Sequence, residues 1–341
     1  MKNNQLSKEL FFSRTNDFLN LYLPKQAMKS NNTVNTYRDG LTVFRKYLAE
    51  EKKVSIRKFR FEECTHDFLL EYMMYLKDKG CAAGTCNNRL AAIRSYLWYV
   101  ADGEISMQSI ALGASKVPFI KGTQKVKDTI NPDDLAALLA APSDRSKIGI
   151  RDKTILILLY DSAIRVSELR ELTLGSLKLN ETIPYIRVHG KGDKERIVSI
   201  TDKTVEHLKR YIKLYHSETN GDYPLFYTVI KGNLSAMSTG NVERILNKYA
   251  EKIRPDHPGL PQKLYPHMLR RTRACGLYQN GVELELVSRI LGHTSTQTTR
   301  IYASPSIEML KKAMENNSVD VSETAEWLDD EEELASISSF N

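Results

Sequence analysis

The chain has 341 residues, 41% of them apolar, and a net charge of +7. That length allows two domains and a sizeable core, but the longest apolar run, Ile155 to Tyr160, is far too short to span a bilayer. The N-terminus carries no hydrophobic signal segment, and no second Cys or His pair accompanies Cys81 and Cys86, so we expect a cytoplasmic protein with reduced thiols at Cys64, Cys81, Cys86 and Cys275. Residues from about Ser7 to Met28 read as a helix. A Ser-Asn-Asn-Thr cluster opens a second one, in which Val34, Tyr37, Leu41, Phe44 and Leu48 recur at steps of three and four. Arg38, Arg45 and Lys46 lie off that stripe. A third helix carries Phe68, Leu69, Tyr72 and Leu76 and ends at Lys79-Gly80. The next begins near Ala83 or Gly84 and turns Leu90, Ile93 and Leu97 inward. Asn87, Asn88, Arg89 and Arg94 are left for its other faces. Such a bundle fits a solvated surface, but Asn and Arg near a helix start also suit a helix entering a major groove.

From Asp102 to Asp128 the periodicity fails, and Lys116, Lys121, Lys125 and Lys127 are spread along the stretch. It reads as a linker able to lie along a phosphate backbone. Asn131-Pro132-Asp133 opens a further helix, and Ile150 to Asp161 is a buried one. Arg165 and Glu168 follow, three apart on a helical turn, which by itself is an exposed ion pair. Ile183 to His189 and Glu195 to Ile200 alternate like strands around the turn Gly190-Lys191-Gly192-Asp193. Helices follow near 202–217 and 241–252.

Pro266 suits the first position of another helix, with His267 and Arg270 three apart in its first turn. Free backbone N–H groups there make an anion site. A helix with the stripe Val282, Leu286 and Ile290 stops at Gly292, a left-handed cap, and His293 comes next. Ser295 or Thr296 can cap a short last helix, with Tyr302 at or just past its end. Arginine and histidine hold a phosphate, and a tyrosine hydroxyl can attack one. Beyond residue 317 the tail from Ser318 to Asn341 holds eight acidic residues and no basic one, leaving +15 on the rest. A body that basic suits nucleic acid. The tail itself reads equally as a solvated segment or, through Trp327, Leu328, Leu334 and Ile337, as a docking helix.

The string His267-x-x-Arg270, then Leu-Gly-His293, then Tyr302 nine residues later resembles the second signature box of the tyrosine recombinases, the phage integrases and Xer-type enzymes. Ala163-Ile164-Arg165 through Glu168 resembles the first box, and Lys191 matches the family's hairpin lysine. Gly84 to Leu97 is similar to the last long helix of its core-binding domain. The resemblance spans about residues 8 to 317 and implies a mainly α protein with a small β-sheet. Residues 1–104 would form a helical, SAM-like core-binding domain, 105–127 a basic linker, 128–317 an α+β catalytic domain and 318–341 an acidic tail. No extra arm-binding domain is expected.

The resemblance further implies that Tyr302 is the nucleophile, that Arg165 and Arg270 clamp the scissile phosphate, and that Lys191 protonates the leaving oxygen. His267 would move the tyrosine proton, His293 would donate to the phosphate and Glu168 would support His267. Arg271 departs from a histidine common at that place and bears on packing behind the site. Contacts to double-stranded DNA are expected from Arg38, Asn88, Arg89, Arg94, Lys121 and Lys125. The implied assembly is a homotetramer in the synaptic complex and a monomer or weak oligomer when free, with no metal, cofactor or membrane. The role expected is integration or excision of a mobile element. Xer-type dimer resolution is the alternative within the family. A type IB topoisomerase lacks this two-box spacing, and a DNA-binding regulator would not need the set of six.

Overall fold

The computed structural model describes residues 10–122, 128–190, 194–217, 220–293, 299, 309 and 311. The Lys191 turn, Lys125, Ser295, Thr296, Tyr302 and the acidic tail lie outside them. The chain divides into two compact units, Met1–Val126 and Lys127–Asn341.

The first unit is helical. Its opening departs from the expected single helix. Residues 11–14 form a turn, because Phe11 N–H is held by the Phe59 carbonyl at 3.0 Å and Leu10 bridges Arg60. One α-turn, α1 (Thr15–Asp17), then leads into a π-wound run, Phe18–Gln26. The wider winding repeats every five residues, so Phe18 and Leu23 share the buried side. Helix α2 (Asn31–Glu50) begins at Ser30, whose hydroxyl accepts from Thr33 N–H at 3.4 Å. Its stripe is buried as expected at Val34, Leu41, Phe44 and Leu48. Helix α3 (His66–Asp78) is capped by Thr65 and followed by Gly80 at φ +76°. Helix α4 (Ala83–Gly103) crosses α2 at Gly40, where a Cβ would lie 2.9 Å from that of Ala92.

The expected linker is partly helical. Residues Gln108–Lys116 form α5, and Ala111, Ala114 and Val117 enter the same core as Phe11 and Phe44. Alanine and glycine gave this face little apolar contrast to read, yet small side chains permit its close approach.

In the second unit, α6 (Pro132–Ala140) starts at Asn131, which accepts from Asp134 N–H at 2.8 Å. Helix α7 (Lys147–Ser162) buries Ile155, Leu156, Leu158 and Leu159 and stops at Ala163, a left-handed residue at φ 50°. Arg165 then precedes α8 (Val166–Glu171). Strands β1 (Leu177–Lys178), β2 (Tyr185–Gly190) and β3 (Lys194–Ser199) form an antiparallel sheet, pairing Val188 with Arg196 and Gly190 with Lys194. After α9 (Asp202–Tyr215) comes a hairpin absent from the sequence reading, β4 (Tyr227–Ile230) and β5 (Asn233–Ala236). Lys231 and Gly232 turn it, both at positive φ.

Helices α10 (Thr239–Ile253), α11 (Pro266–Gln279) and α12 (Leu284–Leu291) complete the described part. The stripe expected on α12 needs correction. Leu286 is 52% exposed, and Val287 and Leu291 are the buried pair, packed with Ala163 and Ala274. The helix begins only at Leu284, so Val282 lies outside it, and that apolar wall selects the neighbouring row. Gly292 is left-handed at φ 62°, as its place after the last turn requires. No helix among the described residues is long and apolar enough to cross a membrane.

Candidate active site

Glu168 is the electrostatic centre of the site. It is almost fully buried in the first turn of α8. Its Oε2 accepts the Arg165 backbone N–H at 2.7 Å, which closes the start of the helix as a capping box does. Oε1 accepts Arg165 Nη1 at 2.8 Å. Arg196, on β3, binds both oxygens, Nη1 to Oε1 and Nη2 to Oε2, each at 2.9 Å. Arg270 Nη1 stands 4.0 Å from Oε2. Burial works against this carboxylate. The hydrogen bonds from Arg196 and Arg165 outweigh it and hold Glu168 down to about 2. It is therefore no exposed ion pair. Expectation had it supporting His267, but the contacts seen are to three arginines.

Arg270 comes from α11, which Pro266 opens at its first position. The two box residues differ sharply, because His267 is exposed while Arg270 is wholly buried. Arg270 Nη1 donates to the Ala163 carbonyl at 2.6 Å and Nη2 to the Leu291 carbonyl at 2.7 Å. The left-handed turn at Ala163 ends α7 there, two residues before Arg165. Arg270 therefore ties the C-terminal ends of α7 and α12 together.

His293 follows the Gly292 cap. Its Nε2 lies 3.2 Å from Arg270 Nη2, and its Nδ1 lies 2.8 Å from Thr299 Oγ1. A guanidinium can only donate, so Nε2 accepts and Nδ1 carries the proton. Burial, then the charges of Arg270, Arg165, His267 and Arg196, push the ring down to about 4. It is neutral at pH 7. The donation to phosphate expected of His293 is thus replaced, in this state, by acceptance from Arg270. Arg165 differs from Arg270 in being over a third exposed at its side chain, so it is the more open of the two clamping candidates.

Arg271 is also buried and donates to the Asp128 carbonyl at 3.1 Å and to the Tyr265 hydroxyl at 3.3 Å. Its role is to tie α11 to the start of this unit, in keeping with a packing residue. Arg196 was missed. In the sequence it is one charge in an alternating strand, and only its register with Val188 sets it beside the site. No group of three His, Cys, Asp or Glu among the described residues could hold a metal ion.

The candidate DNA contacts of the first unit scatter in environment. Arg38 is exposed and donates to Asn35 at 3.2 Å and Asn20 at 3.0 Å. Asn88 and Lys121 are exposed. Arg89 is half-buried and donates to Cys81 Sγ at 3.1 Å. Arg94 departs from a DNA-facing side chain. Its guanidinium donates to the Ala114 and Val117 carbonyls at the end of α5 and lies 4.5 Å over the Phe119 ring. The Ala114 carbonyl also accepts the Val117 N–H at 3.3 Å, and that of Val117 lies past the last turn of α5, so the charge turns inward to the end of the helix.

Comparison with known proteins agrees with this geometry. The phage integrase family model matches residues 128–309, and the model of the phage integrase N-terminal SAM-like domain matches residues 16–102. Tyrosine recombinase XerC of Thermodesulfovibrio yellowstonii is 34% identical over 306 residues, 86% of this chain and 92% of that protein. The structure of a XerH site-specific recombinase bound to palindromic difH substrate superposes with a TM-score of 0.61 at 24% identity, over 84% of this chain and 79% of that one. A Tn1549 transposon integrase with circular intermediate DNA gives 0.66 at 14% identity, over 92% and 99%. At those identities the two structures speak for the fold alone.

Proposed function

Because this chain belongs to the phage integrase family and is a tyrosine-type site-specific recombinase, we propose that it cuts and rejoins duplex DNA through Tyr302. The Tyr302 hydroxyl attacks the scissile phosphorus, a 3′-phosphotyrosyl bond forms, and the 5′ oxygen leaves. Arg165 and Arg270 take the non-bridging oxygens, whose charge grows in the transition state. Lys191 protonates the leaving oxygen and His267 takes the tyrosine proton. His293 begins neutral, with Nε2 on Arg270. An arriving phosphate draws on that guanidinium and raises the ring's proton affinity, so Nε2 can then donate to phosphate. A second DNA 5′-hydroxyl reverses the step. Four protomers on two duplexes exchange strands in pairs through a Holliday junction. The bond energy is kept in the covalent link, so neither nucleotide nor metal is needed. The work is done in the cytoplasm, at the nucleoid.

The observation that carries this reading is the meeting of Arg165 and Arg270 at the buried carboxylate of Glu168, with His293 on Arg270, at the ends of three helices. A DNA-binding regulator would have no use for such a buried cationic centre. The test begins by selecting the chain's site from a pool of randomised duplexes. On a nicked suicide duplex of that site the protein should form a covalent adduct, in EDTA as well as in Mg²⁺. Tyr302→Phe should bind equally and form none. An adduct from that variant would move the nucleophile elsewhere, and dependence on Mg²⁺ would sink the mechanism.

Within the family, the 34% identity to a XerC protein favours resolution of chromosome or plasmid dimers. Integration or excision of a mobile element is the second reading, supported by the acidic segment from Ser318. Mapping the selected site separates them: one copy in the chromosome supports resolution, and copies at the ends of an element carrying the gene support integration.

A further inference from the structure

Arg196 stands at a junction that the mechanism above does not use. It lies on β3, the strand leading out of the Lys191 turn. Both of its terminal nitrogens grip Glu168 at 2.9 Å, and Glu168 Oε1 also holds Arg165 Nη1 at 2.8 Å. Its Nε donates to the Ile290 carbonyl in the last turn of α12, at 3.4 Å. Its Cδ, Nε and Cζ cover Gly292, where a Cβ would come within 2.8 to 2.9 Å of them. His293 is the next residue. At 14% side-chain exposure Arg196 is turned into the protein. One planar side chain thus touches the hairpin strand, the partner of Arg165 and the cap before His293.

We infer that Arg196 is a positioning residue for strand cleavage, fixing β3, Arg165 and His293 against one another. The inference rests on the roles proposed above for Arg165 and His293. A two-point guanidinium–carboxylate contact sets direction as well as charge, and lysine supplies charge alone. Arg196→Lys is therefore the informative variant.

The experiment uses the full chain and the nicked suicide duplex bearing the selected site. Arg196→Lys and Arg196→Gln should each slow single-turnover adduct formation about 100-fold, the scale of a displacement of roughly 1 Å at a reacting group. Duplex affinity and melting temperature of Arg196→Lys should match wild type. Glu168→Gln should slow cleavage to the same extent with duplex affinity intact, and the double variant Arg196→Gln/Glu168→Gln should cleave no more slowly than its slower parent. If Arg196→Gln does not fold, Arg196→Lys, which keeps the charge and most of the buried stem, decides the matter. Arg196→Lys cleaving as fast as wild type, or losses that multiply in the double variant, would overturn the inference and leave the functional reading standing. A wild-type chain that forms no adduct overturns that reading and this inference together.

Discussion

The two units bury different chemistry. In the first, the centre is aromatic: Phe11 packs against Phe44, Phe59, Phe61 and Tyr96 with ring centroids 5.2 to 5.5 Å apart. Among the described residues, every buried Asp, Glu, Lys, Arg, Ser or Thr belongs to the second unit, Glu168, Arg270 and Arg271 among them. An aromatic core stabilises without direction, because its favourable term scales with area removed from water. A buried ionic cluster carries a large desolvation cost and is a poor source of stability, but it fixes where charges stand. The first unit is built to hold its shape and the second to hold guanidinium groups in place.

That contrast can be pressed from both sides. The largest effect belongs to Lys191→Ala, which removes the proposed proton donor and should slow cleavage by about 10²- to 10⁴-fold with no change in melting. A substrate with a 5′-bridging sulfur needs little protonation and should restore the rate; equal defects on both substrates would take Lys191 out of that role. Phe44→Ala should do the reverse. It removes the ring at the centre of the first unit and should cost about 3–5 kcal/mol in urea unfolding, while the folded fraction cleaves at the wild-type rate. A loss below about 1 kcal/mol would mean this core is not the source of stability claimed for it.

Acid should separate the units next. Glu168 is held at about 2 in the folded chain against 4.5 as an ordinary side chain. A depressed carboxylate contributes stability above its unfolded pKa and loses it as pH falls toward the folded value. The contribution, about 3 kcal/mol, is therefore complete near neutrality and fades between pH 4.5 and 2. The stability difference between wild type and Glu168→Gln should shrink as pH is lowered from 6 to 3; a constant difference would argue against the shift. The smallest effect is at the α2–α4 crossing. Gly40→Ala places a methyl 2.9 Å from Ala92 and should cost about 1–3 kcal/mol, reduced by the better helix propensity of alanine. A gain in melting temperature would mean the helices part without penalty.

What could be read from the sequence was local. The α2 stripe, the stops at Gly80 and Gly292, and the Asn131 and Pro266 helix starts all depend on a few adjacent residues, and each stands in the structure. Long-range partners were hidden. Arg94 has the pattern of a surface charge, and only the end of α5 makes it an internal donor. Row 286–290 on α12 looked as apolar as row 287–291, and only Ala163 and Ala274 decide between them. The box residues were legible as a motif, but the burial of Arg270 and the part played by Arg196 follow from helix ends and strand register that no short spacing encodes.

Arg270 is balanced differently from its neighbours. Arg165 and Arg196 lean on a carboxylate, which a proton can erase. The two short contacts of Arg270 are to the carbonyls of Ala163 and Leu291, which no ordinary acid can neutralise. The phosphate clamp therefore has one jaw set by titratable charge and one whose shortest contacts above are to backbone carbonyls. Acid strong enough to reach the Glu168 carboxylate, near pH 2, would loosen the first while the second still joined α7 to α12, so the site should come apart in a fixed order, with its deepest arginine last to let go.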